Sequence, residues 1–204
     1  MKRPARGYTI VEVMIALTLI TLGVSGVVAM QKVTTVANRD ARNLAVANQI
    51  ARTWLDRLRT DAVAWNLPSP TSPTGNDIAS DTRWLKQIED SPMTWFQPET
   101  IPDWGGPAFD MNGTDVSESD DAAPMYCTNV RLQWIYGPPA VAPPPYLIRA
   151  EVRVFWLREG AGLPDGMDSF CDPSSNENED DVIGTATDRF HFVYATSAIK
   201  QNPH

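Results

Sequence analysis

The sequence predicts an α+β fold in which one long N-terminal helix packs on an antiparallel β-sheet. Two observations predict the helix: an apolar run from Tyr8 to Met30, and a continuation to about Thr60 in which apolar residues recur every three or four positions. A third observation predicts the sheet, because three late segments alternate between apolar and polar residues. The rear half of the first helix is the only long helix available to cover the apolar face of that sheet.

The N-terminal segment has the composition of a membrane span. The run from Tyr8 to Met30 comprises 23 residues with one charge, Glu12, and about 20 apolar residues suffice to cross the hydrocarbon core of a bilayer. Residues 1–7 contain three cations and no acid, and the next cation after the span is Lys32. This asymmetry predicts that the N-terminus faces the cytoplasm and that the globular part lies on the other side of the membrane.

An ordinary membrane anchor does not explain Glu12. A carboxylate inside an apolar span costs on the order of 2.5–3.5 kcal/mol at mid-membrane and less near an end, so a function is expected for it. A secretory signal cut near Ala29, or an uncut signal anchor, accounts for the apolar run but gives Glu12 no role. Cleavage after Gly7 instead creates an α-amine on Tyr8, which lies one helical turn from Glu12. In a packed assembly the carboxylate could equally pair with the α-amine of a neighbouring subunit.

The segment Gly7-Tyr8-Thr9-Ile10-Val11-Glu12 resembles the signal of type IV prepilins and of type II secretion pseudopilins. In that family a basic leader ends in Gly, an aromatic residue follows, and Glu occupies the fifth mature position; Tyr8 stands where Phe is usual. The resemblance implies that prepilin peptidase cleaves after Gly7 and methylates the amine of Tyr8, and that Glu12 docks the subunit into an assembly.

The resemblance also implies a type IV pilin-like fold with four segments. These are a leader peptide (1–7), a transmembrane or filament-core half-helix (8–30), an amphipathic half-helix (31–60) and a periplasmic α+β domain (61–204).

Within the family, Leu22 to Gln31 looks most like the minor pilins called PilV, and the minor pseudopilin GspI is similar here. The PilV resemblance implies a structural subunit, present in few copies, that primes pilus assembly and sits in a tip complex. Its expected partners are other minor pilins, the major pilin and a tip adhesin. The alternative within the class is a GspI-like pseudopilin of a type II secretion system. The alternative from another class is a membrane-anchored periplasmic adhesin or binding module whose exposed Trp residues contact a ligand.

The rear half of the helix is predicted to be amphipathic. Its apolar face comprises Leu44, Ala47, Ala51, Trp54, Leu55 and Leu58. The polar, solvent-facing side comprises Arg42, Arg52, Asp56 and Arg59. Three prolines between Leu67 and Gly75 end the helix and open a loop.

The middle of the chain is predicted to contain little regular structure. Asp81 to Asp90 is expected to form a short helix whose apolar residues are Trp84, Leu85 and Ile88. Ser91 to Met125 is expected to be irregular, with a turn at Asn112-Gly113.

Three strands are predicted in the second half, at 127–136, 146–157 and 189–196. The expected apolar positions of the first strand are Val130, Leu132, Trp134 and Tyr136, and those of the second are Ile148, Ala150, Val152, Val154 and Trp156. Phe190, Phe192 and Tyr194 are expected to form the apolar face of the third strand. One apolar face per strand predicts an antiparallel sheet packed on one side.

The two cysteines, Cys127 and Cys171, do not fit a metal or redox motif. In an oxidising compartment they are expected to form one disulfide that fastens the loop before the last strand to the sheet. The bond would close a loop of about 45 residues and contribute roughly 2–4 kcal/mol.

Composition and motifs indicate neither an enzyme nor a cofactor site. The formal charge of −8 argues against nucleic-acid binding, which needs a basic surface. Neither histidine is assigned a role: His204 is terminal and His191 is expected on the polar side of a strand. No nucleophile-elbow, zincin or phosphate-loop motif is present. The acidic runs 115–121 and 176–181 lack the spacing of a calcium loop, so no metal is expected.

Overall fold

The computed structural model describes residues 7, 9–66, 78–90, 92–117, 123–137, 146–164, 170–171 and 180–201. The chain divides into two units, Met1–Asn43 and Leu44–His204. Helix α1, Ile10–Asn66, contributes its front part to the first unit and its rear part to the second. Its front part is long and apolar enough to cross a membrane, and the apolar window has no buried residue.

The rear part of α1 is amphipathic, as the periodicity predicts. Its buried residues are Ala47, Ile50, Ala51, Trp54, Leu55, Leu58, Asp61, Ala62 and Trp65, and the four predicted polar positions are exposed. Two details differ from the prediction. Leu44 is 49% exposed, and the helix continues past Thr60 to Asn66. The extension is possible because the first residue disfavoured in a helix is Leu67, which precedes Pro68.

The sheet is antiparallel and has five strands in the described part of the chain. They are β1 (Trp95–Phe96), β2 (Ala108–Phe109), β3 (Tyr126–Tyr136), β4 (Leu147–Leu157) and β5 (Phe190–Lys200). The order is β1-β3-β4-β5, and β2 also pairs with β3. The three long strands confirm the three predicted ones, whereas β1 and β2 lie in the segment that was expected to be irregular.

One face of the sheet, the inner face, packs on the rear of α1. Val130 and Leu132 of β3 lie in the same core cluster as Trp54 and Leu58 of α1. Strand β4 adds its predicted apolar residues to this cluster, Ile148, Ala150, Val152, Val154 and Trp156. The predicted α+β architecture, with a long helix covering an antiparallel sheet, is therefore confirmed.

The opposite, outer face is not solvated along its whole length, which corrects the one-sided prediction. Phe155, Phe190 and Cys171 belong to a second buried cluster on that side. The apolar face predicted for β5 is wrong. The β5 residues that are buried in the main core are Val193 and Ile199, which lie on the opposite face of the strand. The error arose because β5 has apolar residues on both faces, so alternation alone does not choose between them. Two residues that were predicted on the apolar faces are exposed: Tyr194 of β5 (61%) and Tyr136 of β3 (48%).

The second cluster contains the predicted disulfide. Cys127 of β3 is bonded to Cys171, with the two Cα atoms 5.4 Å apart, and both cysteines are fully buried. The bond fastens the segment around Cys171 to the outer face, close to helix α4 (Asp180–Thr185) and its buried Ile183.

A buried carboxylate organises the chain between α1 and the sheet. Asp61 is fully buried and accepts the backbone N–H groups of Arg83 (2.7 Å), Trp84 (2.8 Å) and Leu85 (3.0 Å). The predicted helix 81–90 is consequently two short helices, α2 (Ile78–Asp81) and α3 (Gln87–Asp90). The amides between them bond to Asp61 instead of to helical carbonyls. The predicted burial of Trp84, Leu85 and Ile88 is confirmed.

Candidate assembly site

The N-terminus of α1 is where the sequence places the cleavage and docking residues. Gly7 is exposed and precedes the helix. Thr9 caps α1, since its Oγ1 accepts the backbone N–H of Glu12 (3.3 Å) and its carbonyl accepts the N–H groups of Glu12 (3.1 Å) and Val13 (3.3 Å). The helix thus begins directly behind the predicted cleavage point.

Glu12 occupies the first turn of α1 and its side chain is exposed. The free N–H groups at a helix N-terminus carry a partial positive charge, which favours a carboxylate at this position. Tyr8 lies outside the described residues, so the approach of its amine to Glu12 stays a prediction. The carboxylate is nevertheless on the turn from which it can meet a cation at the start of the helix.

Thr9 and Glu12 also form a pattern that the sequence analysis overlooked. A Thr followed three residues later by Glu, directly before an apolar run, is the sequence of a capping box. The structure shows one half of it, the bond from the N–H of Glu12 to the Thr9 hydroxyl. Helix initiation and the position of the carboxylate therefore depend on the same pair of residues.

The front part of α1 satisfies its own polar groups. Thr18, Thr21 and Ser25 each donate their hydroxyl to the carbonyl three residues earlier, at 2.8 Å. Such internal bonds make a hydroxyl tolerable in an apolar medium, where an unpaired polar group costs several kcal/mol. The apolar side chains beside them are largely exposed, including Leu19 (64%) and Leu22 (70%).

Two glycines in the same stretch have open surroundings. A Cβ atom added to Gly23 or Gly26 would meet nothing within 4 Å. No neighbour in the described residues therefore requires a small residue at either position. Small residues at these positions would allow a helix of another molecule to pack closely against α1.

Comparison with known families bears on the same stretch. The family model of the prokaryotic N-terminal methylation motif matches residues 2–28. The match supports a type IV pilin-like or pseudopilin subunit. It covers the leader, Gly7, Tyr8, Glu12 and most of the apolar span, and it ends before the globular part. No curated protein and no solved structure matches the chain.

With the motif, the apolar helix fits a membrane-anchored pilin. A prepilin motif implies processing by prepilin peptidase and assembly with other pilins. The motif is typical of subunits with a structural role.

The other candidate sites gain no support from the structure. The described residues contain no group of three or more His, Cys, Asp or Glu that could hold a metal. His191 lies on the side of Val193, with its ring stacked on Trp156 at 5.3 Å, which corrects its expected place on the polar side. His204, residues 118–121 of the first acidic run and residues 176–179 of the second lie outside the described residues.

The acidic residues of the loop from 110 to 115 have local partners. Asp115 binds Arg57 at 2.5 Å, and the backbone N–H groups of Thr114 and Asn112 hold the pKa of Asp110 below its usual value of 3.8. Both interactions stabilise the loop. They do not direct the carboxylates of Asp110 and Asp115 toward a common position at which a metal could bind.

The expectation of several exposed Trp residues is wrong. All seven lie in the described residues, and only Trp104 is exposed, at 38%. One face of its ring is covered by the guanidinium of Arg83, 3.6 Å from the ring centroid. The aromatic side chains of this protein mainly fill the core.

Proposed function

We propose that this chain is a minor type IV pilin, a structural subunit that primes pilus assembly and joins other minor pilins in a complex at the tip. Prepilin peptidase removes residues 1–7 and methylates the new amine of Tyr8. Residues 8–30 hold the subunit in the inner membrane and then in the filament core, residues 31–60 continue the helix, and residues 61–204 form the periplasmic domain.

The observation that carries the proposal is the position of the methylation motif on the helix. The motif covers residues 2–28, and α1 begins at Ile10 with an apolar front part that is not buried by any of the described residues. Burial of apolar surface is the main favourable term in association. A helix of this kind is stable either in lipid or among the similar helices of other subunits, and a pilin uses both environments in turn.

The proposed role of Glu12 follows from charge. In an apolar filament core the α-amine of Tyr8, of the same or a neighbouring subunit, needs a counter-charge, and Glu12 lies in the first turn of the helix. Leaving one partner of a buried pair alone costs roughly 3–5 kcal/mol, and less near the membrane surface where water reaches. Even half of that cost would change an association equilibrium by more than tenfold, since about 1.4 kcal/mol is a factor of ten.

Replacement of Glu12 tests the proposal. Glu12→Ala should insert in the membrane at least as well as wild type, because the span becomes more apolar. Cleavage after Gly7 should persist. Capture of the other minor pilins by affinity pulldown, and the number of surface pili, should both fall by about tenfold or more.

Asp40→Ala is the matched control, since Asp40 is an exposed acid further along the same helix. It should leave both readouts unchanged. A Glu12→Ala chain that is inserted, processed and fully competent in both assays would remove the docking role. Glu12 would then be only a tolerated charge at the end of an anchor.

A pseudopilin of a type II secretion system is the second candidate, because the motif that matches is common to prepilins and pseudopilins and because Leu22 to Gln31 also resembles GspI. Deletion of the gene separates the two. Loss of surface pili with intact protein secretion supports the minor pilin, and the reverse supports the pseudopilin. The adhesin alternative loses its motivation, since Trp104 is the only exposed Trp.

A further inference from the structure

The last strand of the sheet has an edge without a neighbour in the described residues. Strand β5 is 11 residues long and pairs with β4 alone among the described strands. The pairing runs without a register shift from Phe190 to Lys200. Edge strands are usually protected by Pro, by bulges, by short length or by charge. β5 has no Pro and a single Lys or Arg, Lys200 at its end.

Its side chains leave that edge accessible. The residues of β5 that face outward beyond the second cluster are Tyr194, Thr196, Ala198 and Lys200, and all four are exposed. They alternate with Val193 and Ile199, which are buried in the main core. Because the core fixes the inner side chains, the backbone groups along the outer edge are held in a regular array. Such an edge is a template for one more strand.

The charge of this part of the outer face is opposite to that of the whole chain. In the described residues, the solvent-exposed or partly exposed cations of this part of the face are Arg131, Arg149 and Lys200, and its carboxylate is Glu151, whereas the chain has a formal charge of −8. Arg153 is buried, with its guanidinium against the rings of Trp95 and Phe155. Glu151 is shared, since both Arg131 and Arg149 form ion pairs with it. Three cations and one acid leave the described part of this surface basic, so its charge complements a carboxylate-bearing partner.

The register of β4 and β5 places two of these cations, Arg149 and Lys200, near the open edge. Arg149 lies opposite Ala198, and Leu147 lies opposite Lys200. Ala198 is a small residue on the edge strand beside Arg149, whose side chain is 48% exposed and forms an ion pair with Glu151. Lys200 stands on the edge strand itself. A strand added beside β5 would therefore meet two cations near the Lys200 end.

We propose that the edge of β5 binds an extended segment of a different subunit that carries Asp or Glu at alternate positions. Backbone hydrogen bonds to β5 supply the pairing, and Arg149 and Lys200 select for carboxylates. That the partner is another pilin-like subunit rests on the proposed function. The edge and its charge do not depend on it.

Site-specific cross-linking in cells tests the proposal with the full chain. A photoreactive amino acid replaces Thr196 on the edge, with Met111, 56% exposed, as the control position. The Thr196 position should cross-link to a peptide of another protein that contains Asp or Glu, identified by mass spectrometry. The Met111 position should not cross-link to this peptide.

Charge reversal sharpens the result. Lys200→Glu and Arg149→Glu should each reduce the cross-link yield by about threefold to tenfold, because an attractive pair becomes a repulsive one. Lys200→Glu removes no ion pair seen in the described residues, so it leaves the fold intact. Arg52→Glu, on the exposed side of α1, is the control with the same change of net charge and should have no effect.

Four results would overturn the proposal: no cross-link at Thr196, a cross-link to lipid, a cross-link to this chain or a second copy of it, or a yield that is insensitive to Lys200→Glu. The N-terminus is sequenced in the same samples. A chain cut after Gly7 that fails to cross-link overturns only the edge site, whereas an uncut chain that cross-links as expected overturns only the processing part of the proposed function.

Discussion

The front and rear parts of α1 belong to one helix but are specified differently. Up to Asn43 its apolar side chains are exposed, as Ile20 at 59% and Met30 at 74% show. From Ala47 onward the apolar side chains form a stripe that is buried against the sheet, with Trp54 and Leu58 fully covered. Up to Met30 the front part is apolar on all sides apart from Glu12, whereas the rear part is apolar on one side only.

This difference shows where each part finds its partner. A one-sided stripe is satisfied by one neighbouring layer, and the chain supplies that layer as its own sheet. A helix that is apolar all round needs an environment that surrounds it, which a single chain of this fold does not provide. The proposed subunit obtains that environment from lipid and then from other subunits.

The largest expected effect is a loss of stability when a buried acid of the rear part is replaced. Asp61→Ala removes the acceptor of two buried N–H groups and one partly buried N–H group and should lower the free energy of unfolding of the globular unit by roughly 3–5 kcal/mol. Asp56→Ala is the matched control, because its side chain is 70% exposed, and it should cost less than about 1 kcal/mol. Denaturant titration of the full chain in detergent micelles, followed by Trp fluorescence, measures both.

Equal losses for Asp56→Ala and Asp61→Ala would contradict the account, because burial would then not decide the role of the acid. Membrane insertion should be unchanged in both variants, since neither residue lies in the apolar front part.

An intermediate effect is expected for the disulfide, which belongs to the globular unit alone. Replacing Cys127 and Cys171 together by Ala should lower the free energy of unfolding by about 2–4 kcal/mol and leave membrane insertion unchanged. Non-reducing peptide mapping of protein isolated from its native compartment checks the bond first. Two alkylatable thiols in that material would show that the bond does not form there.

The smallest effect compares the same substitution in the two parts. Ile50 is 1% exposed and Ile20 is 59% exposed. Ile50→Val should cost the globular unit about 0.5–1.5 kcal/mol, because it removes a buried methyl group. Ile20→Val should not change the stability of that unit. A measurable loss from Ile20→Val would mean that the front part contributes to the fold of the globular unit.

The helix and the long strands could be predicted because their periodicities persist over many residues. β1 and β2 could not, since each has two residues and exists only because β3 is beside it. The outer face of β5 was missed because its partners, Phe155 and Ile183, come from separate parts of the chain. Asp61 left a signal that could have been used: a charged residue three positions after Leu58, in line with an apolar stripe.

The residues of the candidate assembly site could be predicted from the sequence more readily than the contacts of the globular unit. Gly7, Tyr8 and Glu12 lie within six residues, so their spacing is set by local chemistry and not by folding. The same holds for the cap at Thr9, whose partner is three positions away. The basic edge at β5 could not be found this way, because Arg149 and Lys200 are brought together only by the register of β4 and β5.

The most direct test of the account is the chemistry of the mature N-terminus. Protein is purified from its native membrane, and the N-terminal peptide is analysed by mass spectrometry. The account predicts that the peptide begins at Tyr8 and carries one methyl group on its α-amine. A peptide that begins at Met30 would indicate a secreted protein with an ordinary signal, and an intact Met1 would indicate a simple anchor; either result would contradict the assignment of this chain as a processed pilin-like subunit.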